Sequence, residues 1–170
     1  PPGKLRDTLG EASWYLRDSN WDPDFPTSAQ RAEWFLDKEL NTKVDGVVAI
    51  DLDVVKELIG VVGPIKIADF GVTVDKNNFY EKTQFFAESN FFPGSTQKKD
   101  FLTAVATELM AKLKDSGSRA VPIARALSAS SSGRHILGYL HNKDVELALI
   151  SMGIDGGLKD AQCQISNTKC

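Results

Sequence analysis

Arginine, histidine, cysteine and methionine are all scarce in this 170-residue chain, and each scarcity narrows what it can do. Arginine occurs only as Arg6, Arg17, Arg31, Arg119, Arg125 and Arg134, so a phosphate-clamping site has few planar forks to draw on. A formal net charge of -3 leaves no surplus of positive charge, which argues against nucleic acid as a partner. Two histidines, His135 and His141, and two cysteines, Cys163 and Cys170, are the only imidazole and thiol donors for a metal. Six residues separate the cysteines and five the histidines, and neither spacing is the tight CxxC pair of a structural zinc site. The histidines read as ordinary polar positions on a strand. The cysteines either close a short disulfide loop or stay as thiols in a tail.

No apolar run approaches the ~20 residues that a membrane-spanning helix needs, and no signal peptide is visible. The chain opens PPGKLRD without an initiator methionine, and Met110 and Met152 are its only methionines. It therefore reads as a cut piece of a longer protein. There is no internal repeat, and SASSSG at Ser128 to Gly133 is the one low-complexity stretch.

What is present is globular. At 42% hydrophobic and 25% charged the chain can bury a core, and its length suits one domain. Thr27 with Gln30 forms a capping box for a helix from Ser28 to Leu40, and VDGVVAID holds a short buried strand over Val47–Ile50. Asp51 or Asp53 caps the next helix, whose inward face is Val54, Val55, Leu58 and Ile59. Gly63-Pro64 stops it, and IKIADFGVTVD reads as a hairpin turning at Asp69 to Gly71. Asp75 caps a helix through NNFYEKTQFFA. A long helix from Gln97 to Lys114 carries Leu102, Val105, Ala106, Leu109 and Leu113 on one side. A shorter helix follows over Val121–Leu127, then a strand in HILGYLH. Asp144 caps a helix through Met152 that ends at Gly153, and AQCQIS makes a last strand. The pattern predicts a single α/β domain over residues 1–170, a mixed sheet flanked by helices, as an incomplete portion of a larger domain that lacks its upstream part.

The stretch LRDSNWDPDFP, Leu16 to Pro26, is the chemically densest. Phosphoryl transfer is mostly positioning and charge neutralisation, so it needs carboxylates for Mg²⁺ and cations for phosphate oxygens. Arg17, Asp18 and Asp22 are the candidate catalytic residues, and Asp22 with Asp24 the candidate ligands for Mg²⁺. Pro23 and Pro26 would hold the segment extended. The same residues also suit a purely structural turn: Asp22 opens it, Asp24 bonds to amides ahead of the helix, and Trp21 and Phe25 plug the core. Elsewhere, Asp51 after a buried strand stands where open α/β sheets place ligands, yet it is equally a good N-cap, and the Asp45-Gly46 turn needs no function. IDGG at Ile154 to Gly157 lacks the setting of a phosphate loop and reads as a helix stop. FYEKTQFFAESNFF reads as core in preference to the wall of an acyl-chain pocket.

RDSNWDPDFPTSAQRAEWF, followed by VDGVVAIDLDVVKELIGVVGPIKI, resembles an uncharacterised family of bacterial envelope proteins, the domain of unknown function 4012. The likeness continues through KKDFLTAVATELMAKL and HILGYLHNKDVELALISMGIDGGL. It implies an extracytoplasmic domain, membrane-anchored in the parent protein only through segments absent here, whose partner is a cell-envelope polymer, a lipid-linked glycan or an envelope protein. It also implies an upstream asparagine- and glycine-rich motif that this sequence lacks. More distantly, the order Arg17-Asp18, helix, strand ending at Asp51, helix and Val61 to Pro64 turn is similar to the LytR-CpsA-Psr wall-polymer ligases, metal-dependent enzymes acting on lipid-linked glycopolymers. Leu16 stands where those enzymes have proline, and no downstream arginine-lysine-arginine cluster is present. Two functions are thus expected as alternatives: a binding or assembly domain, or a phosphotransferase-like enzyme.

Overall fold

Asp24 sets the start of the first long helix. Its Oδ2 accepts hydrogen bonds from the Thr27 amide at 3.1 Å and the Thr27 hydroxyl at 2.6 Å, so two donors hold the turn closed. Pro26 follows inside the first turn, where a missing N–H costs nothing because that donor has no intrahelical partner. The helix therefore begins at Phe25, three residues before the Thr27–Gln30 box would start it, because aspartate caps as well as threonine and proline is tolerated just behind it.

The computed structural model describes residues 3–10, 13–88 and 97–158. In chain order it holds α1 (Gly3–Leu9), a 3-10 turn (Leu16–Trp21), α2 (Phe25–Leu40), β1 (Gly46–Ile50), α3 (Leu52–Val62), β2 (Ile65–Ile67), β3 (Val72–Val74), α4 (Phe79–Glu88), α5 (Gln97–Lys114), α6 (Ala120–Ser132), β4 (Ile136–Leu140) and α7 (Lys143–Met152). The class is α/β, with helices flanking small antiparallel sheets. Among the described residues the strands form two pairs, β1 with β4 and β2 with β3, instead of one mixed sheet. The predicted strand AQCQIS and both cysteines lie outside the described residues. No described helix is long and apolar enough to cross a membrane.

The chain divides into two compact units, Pro1–Ala49 with Leu137–Cys170, and Ile50–Ile136. In the first, α2 buries Ser28, Ala29 and Phe35, and Phe35 meets Trp14 and Trp34 edge-on at 5.1 and 5.0 Å. Asn41 closes α2 in the left-handed conformation that asparagine tolerates. Gly46 is required where β1 passes β4, because a Cβ there would lie 2.3 Å from the Tyr139 carbonyl oxygen. Val48 and Ile50 are exposed, so β1 is not the fully buried strand its composition suggests. With β4 as its one strand neighbour among the described residues, it keeps an open edge. Asn142, not Asp144, caps α7 by accepting from the amides of Asp144 and Val145. IDGG does more than stop α7. The Ile154 carbonyl accepts from the Gly138 amide, and the Gly156 carbonyl from the Phe25 amide, which ties this tail to β4 and to the start of α2.

The second unit carries the larger core. Val54, Leu58, Ile59 and Val62 of α3 pack with Ile65, Ile67 and Val74 of the hairpin and with Phe79, Phe101, Val105 and Leu109. The hairpin register is Ile65 to Val74 and Ile67 to Val72, with Lys66 and Thr73 turned outward. Gly71 closes its turn at φ 63, where a side chain would be strained. On α5 the fully inward line is Phe101, Val105 and Leu109, rotated from the predicted face. Phe101 takes that place because Phe86 stacks on it at 4.6 Å and Phe70 meets it edge-on at 5.2 Å. The described part of the phenylalanine-rich run splits accordingly, Phe79 and Phe86 into the core and Phe85 outward. Helix α6 runs on through the serines, whose hydroxyls bond back to carbonyls one turn earlier, as from Ser131 to Leu127 and Ser132 to Ser128.

Truncation of Phe101 to alanine should cost about 3–5 kcal/mol in urea unfolding, whereas Phe85→Ala on the exposed side should stay within about 0.5 kcal/mol. Equal losses at the two positions would contradict this assignment of the core.

Candidate functional site

The residues that sequence singled out in LRDSNWDPDFP lie in the first unit, and each carboxylate there accepts a backbone amide. Asp18 Oδ2 accepts from the Tyr15 amide at 3.2 Å, and its Oδ1 lies 3.7 Å from Arg17 Nε. The Arg17 guanidinium sits 4.7 Å above the Tyr15 ring. Asp22 Oδ1 accepts from the Asp24 amide at 3.1 Å, while the Asp22 carbonyl receives the Ser28 hydroxyl. Asp24 uses both oxygens: Oδ2 caps α2, and Oδ1 accepts from the Leu158 amide at 2.9 Å. The Thr27 hydroxyl, followed by the Leu158 and Thr27 amides, holds the Asp24 carboxyl below its ordinary pKa. Arg17 and Asp18 are thus brought together. Asp18, Asp22 and Asp24 do not gather their oxygens into a three-donor group, and a cation at Asp22 and Asp24 would compete with these amides. Trp21 stays 47% exposed, so it does not plug the core as its type suggests, while Phe25 is partly buried.

A second constellation lies in the other unit around Asp51, which the sequence offers as either a ligand position or an N-cap, without pointing to His135 as its partner. Asp51 caps α3 through Oδ1, which accepts from the amides of Asp53 at 2.9 Å and Val54 at 3.3 Å. Its Oδ2 lies 2.6 Å from His135 Nδ1. Asp53 places Oδ1 2.8 Å from Lys56 Nζ and Oδ2 4.0 Å from the same His135 nitrogen. Lys56 Nζ also lies 5.2 Å from the Tyr80 ring centroid. His135 is held from behind: its amide donates to the Ser130 carbonyl, and Arg134 before it turns at φ 59. Its ring lies so close to Gly133 that a Cβ there would stand 2.6 Å from His135 Cδ2.

These contacts set the charges. The hydrogen bond from His135 keeps the Asp51 carboxyl below its ordinary value, and Lys56, then Tyr80, do the same for Asp53. In return the bond to Asp51 raises His135, and the bond to Asp53 raises Lys56. Desolvation, then Asp53, pushes the Tyr80 hydroxyl up. Asp51 and His135 are a carboxylate and an imidazole in hydrogen-bonding contact, a pair that can exchange a proton or, with the imidazole neutral, coordinate a cation.

Beside Asp51 a groove of about 410 Å³ opens in the same unit. Leu52 and Val55 of α3 face Leu102, Ala106, Met110 and Leu113 of α5 across it, and Asp51 is the one charged residue among the described lining. In the first unit His141 repeats the imidazole–carboxylate theme, with Nε2 3.0 Å from Glu33 Oε2. Glu33 Oε1 is buried with no hydrogen-bond partner.

Sequence reading took both histidines for ordinary strand positions. Their partners lie 84 and 108 positions away, beyond the reach of any local spacing. The available hint was that His135 and Asp51 each flank a short apolar strand. Pairing of those strands brings such ends together, as the Asp51 amide to His135 carbonyl bond records.

The sign of the pH dependence follows. A raised His135 contributes stability that is full below the ordinary 6.5 and lost as pH rises through its folded pKa. A lowered Asp51 contributes stability that is present above the ordinary 3.8 and lost as pH falls through its folded pKa. In an NMR titration the His135 imidazole should therefore show a midpoint above 6.5, and Asp51→Asn should return it toward that value while keeping the cap. An unchanged midpoint in the variant would disprove the pairing.

No curated protein and no solved structure matches the chain, and the likeness to the LytR-CpsA-Psr ligases is not confirmed. One family model does match, over residues 3–85, from α1 into α4. That model is the family described as Protein of unknown function (DUF4012), which residues 3–85 of the chain resemble.

Proposed function

We propose that this chain is a non-catalytic binding domain of a bacterial cell-envelope protein, working outside the cytoplasm, whose ligand is a lipid-linked glycan. The observation that carries the reading is the groove between α3 and α5: hydrocarbon on both walls, one carboxylate at its side, and a volume in the range of small-ligand sites. Such a lining suits an isoprenoid or acyl chain, with the polar head left in solvent near Asp51. The engagement of Asp18, Asp22 and Asp24 with backbone amides supports a scaffolding role for their segment, which orders the start of α2. The location outside the cytoplasm and the tether to the membrane rest on the resemblance of DSNWDPDFP and DGVVAID to envelope proteins.

The test is a calorimetric titration of the chain with a polyprenyl phosphate dispersed in mild detergent, with and without Mg²⁺. Saturable binding is expected, lost in Ala106→Glu, which sets a charge in the groove at an exposed position away from the core. The lipid should be recovered intact by mass spectrometry. A titration flat in both conditions would point instead to an envelope protein or polymer as partner. A hydrolysed or transferred lipid in the Mg²⁺ arm, abolished by Asp22→Ala or Arg17→Ala, would replace the binding reading with the phosphotransferase one.

A further inference from the structure

We infer that Asp51, Asp53 and His135 form a binding site for a first-row divalent cation of the zinc class. The donor set is mixed: one imidazole nitrogen and two carboxylate oxygens, all within 4.8 Å of one another. Imidazole with carboxylate suits Zn²⁺ and its neighbours better than Mg²⁺, which prefers oxygen alone. The division of labour on each carboxylate is the first argument. Asp51 gives Oδ1 to the α3 amides and Asp53 gives Oδ1 to Lys56, and both turn Oδ2 toward His135 Nδ1. The outer oxygens are anchored and the inner ones converge, the arrangement by which outer-shell partners orient metal ligands. His135 comes from a segment 84 positions away and is held over Gly133, so the set is not a local run of acids.

An observation outside the cluster points to a ligand at the same place. Asp51 is the one charged residue among the described lining of the α3–α5 groove, so a concavity of about 410 Å³ reaches one of the three donors. A cation there would stand at the polar side of an otherwise apolar pocket. Binding requires little movement. Metal–ligand distances near 2.0–2.2 Å need donors roughly 3 Å or more apart. The 2.6 Å contact between Asp51 and His135 must therefore widen slightly, and the imidazole Nδ1 proton leaves to solvent as the cation takes its place. Lys56 is the opposing charge, because its ammonium would face the ion across Asp53. This inference stands apart from the lipid reading, since a cation can bind whether or not the groove is filled.

The experiment uses chelator-treated protein with Cys163 and Cys170 changed to serine, which removes the thiols as competing ligands. Zn²⁺ is titrated by calorimetry, and Co²⁺ by its visible absorption, which reports nitrogen–oxygen coordination directly. One saturable site is expected. Asp51→Asn, which keeps the helix cap, and His135→Gln should each weaken it at least tenfold. Lys56→Gln should tighten it, an effect that a merely structural role for the cluster would not produce. His141→Gln, at the other imidazole–carboxylate pair, should leave it unchanged. No saturable binding, or binding indifferent to Asp51→Asn and His135→Gln in variants of unchanged circular dichroism, overturns the inference. Neither result depends on lipid, so the two proposals fail separately.

Discussion

The contact of Phe101 with Phe70 and Phe86 is what the larger unit depends on. Its three rings come from α5, from the turn of the β2–β3 hairpin and from α4, with centroids 4.6 to 5.2 Å apart. A hairpin with three residues per strand is marginal by itself in water. It persists because Ile65, Ile67 and Val74 are buried with the aromatic cluster and the apolar face of α3. Burying one phenylalanine contributes about 1.5–3 kcal/mol, and well-set ring pairs add about 0.5–1.5 kcal/mol beyond area. That is a large share of the net stability of any small domain. Once this cluster chooses Phe101, the rotation of α5 is set, and Leu102, Ala106 and Leu113 are left to line the groove.

The aspartates of this chain divide by what their second oxygen meets. Asp24 and Asp51 both cap helices, α2 and α3. At Asp24 the remaining oxygen accepts the Leu158 amide, so the residue is consumed by structure. At Asp51 it meets an imidazole, which makes a cap also a titrating pair. Nothing in the residue itself separates these outcomes. The difference lies in what another part of the chain delivers to it, a backbone amide in one case and His135 in the other.

Much of the fold was legible. The stop at Gly63-Pro64, the hairpin around Gly71, the span of α5 and the glycine end of α7 were all read correctly, because each is decided within a few residues by backbone conformation and amphipathic period. Errors arose where two local signals competed. Asp24 overrode Thr27 as the cap of α2, Asn142 overrode Asp144 at α7, and serine back-bonding let α6 continue through a stretch that composition marks as a break.

The sequence by itself determined the type of most described elements and the helix stops at Gly63 and Gly153, since these rest on residues close together along the chain. Only the tertiary structure decided which face of α5 is core and which side chains meet His135 and His141. Hydrogen bonds across 84 and 108 positions leave no periodic trace, because they depend on how strands and helices come together and not on the order of neighbours. The candidate site therefore moved from the aspartates that stand together in sequence to those that a distant histidine reaches in space.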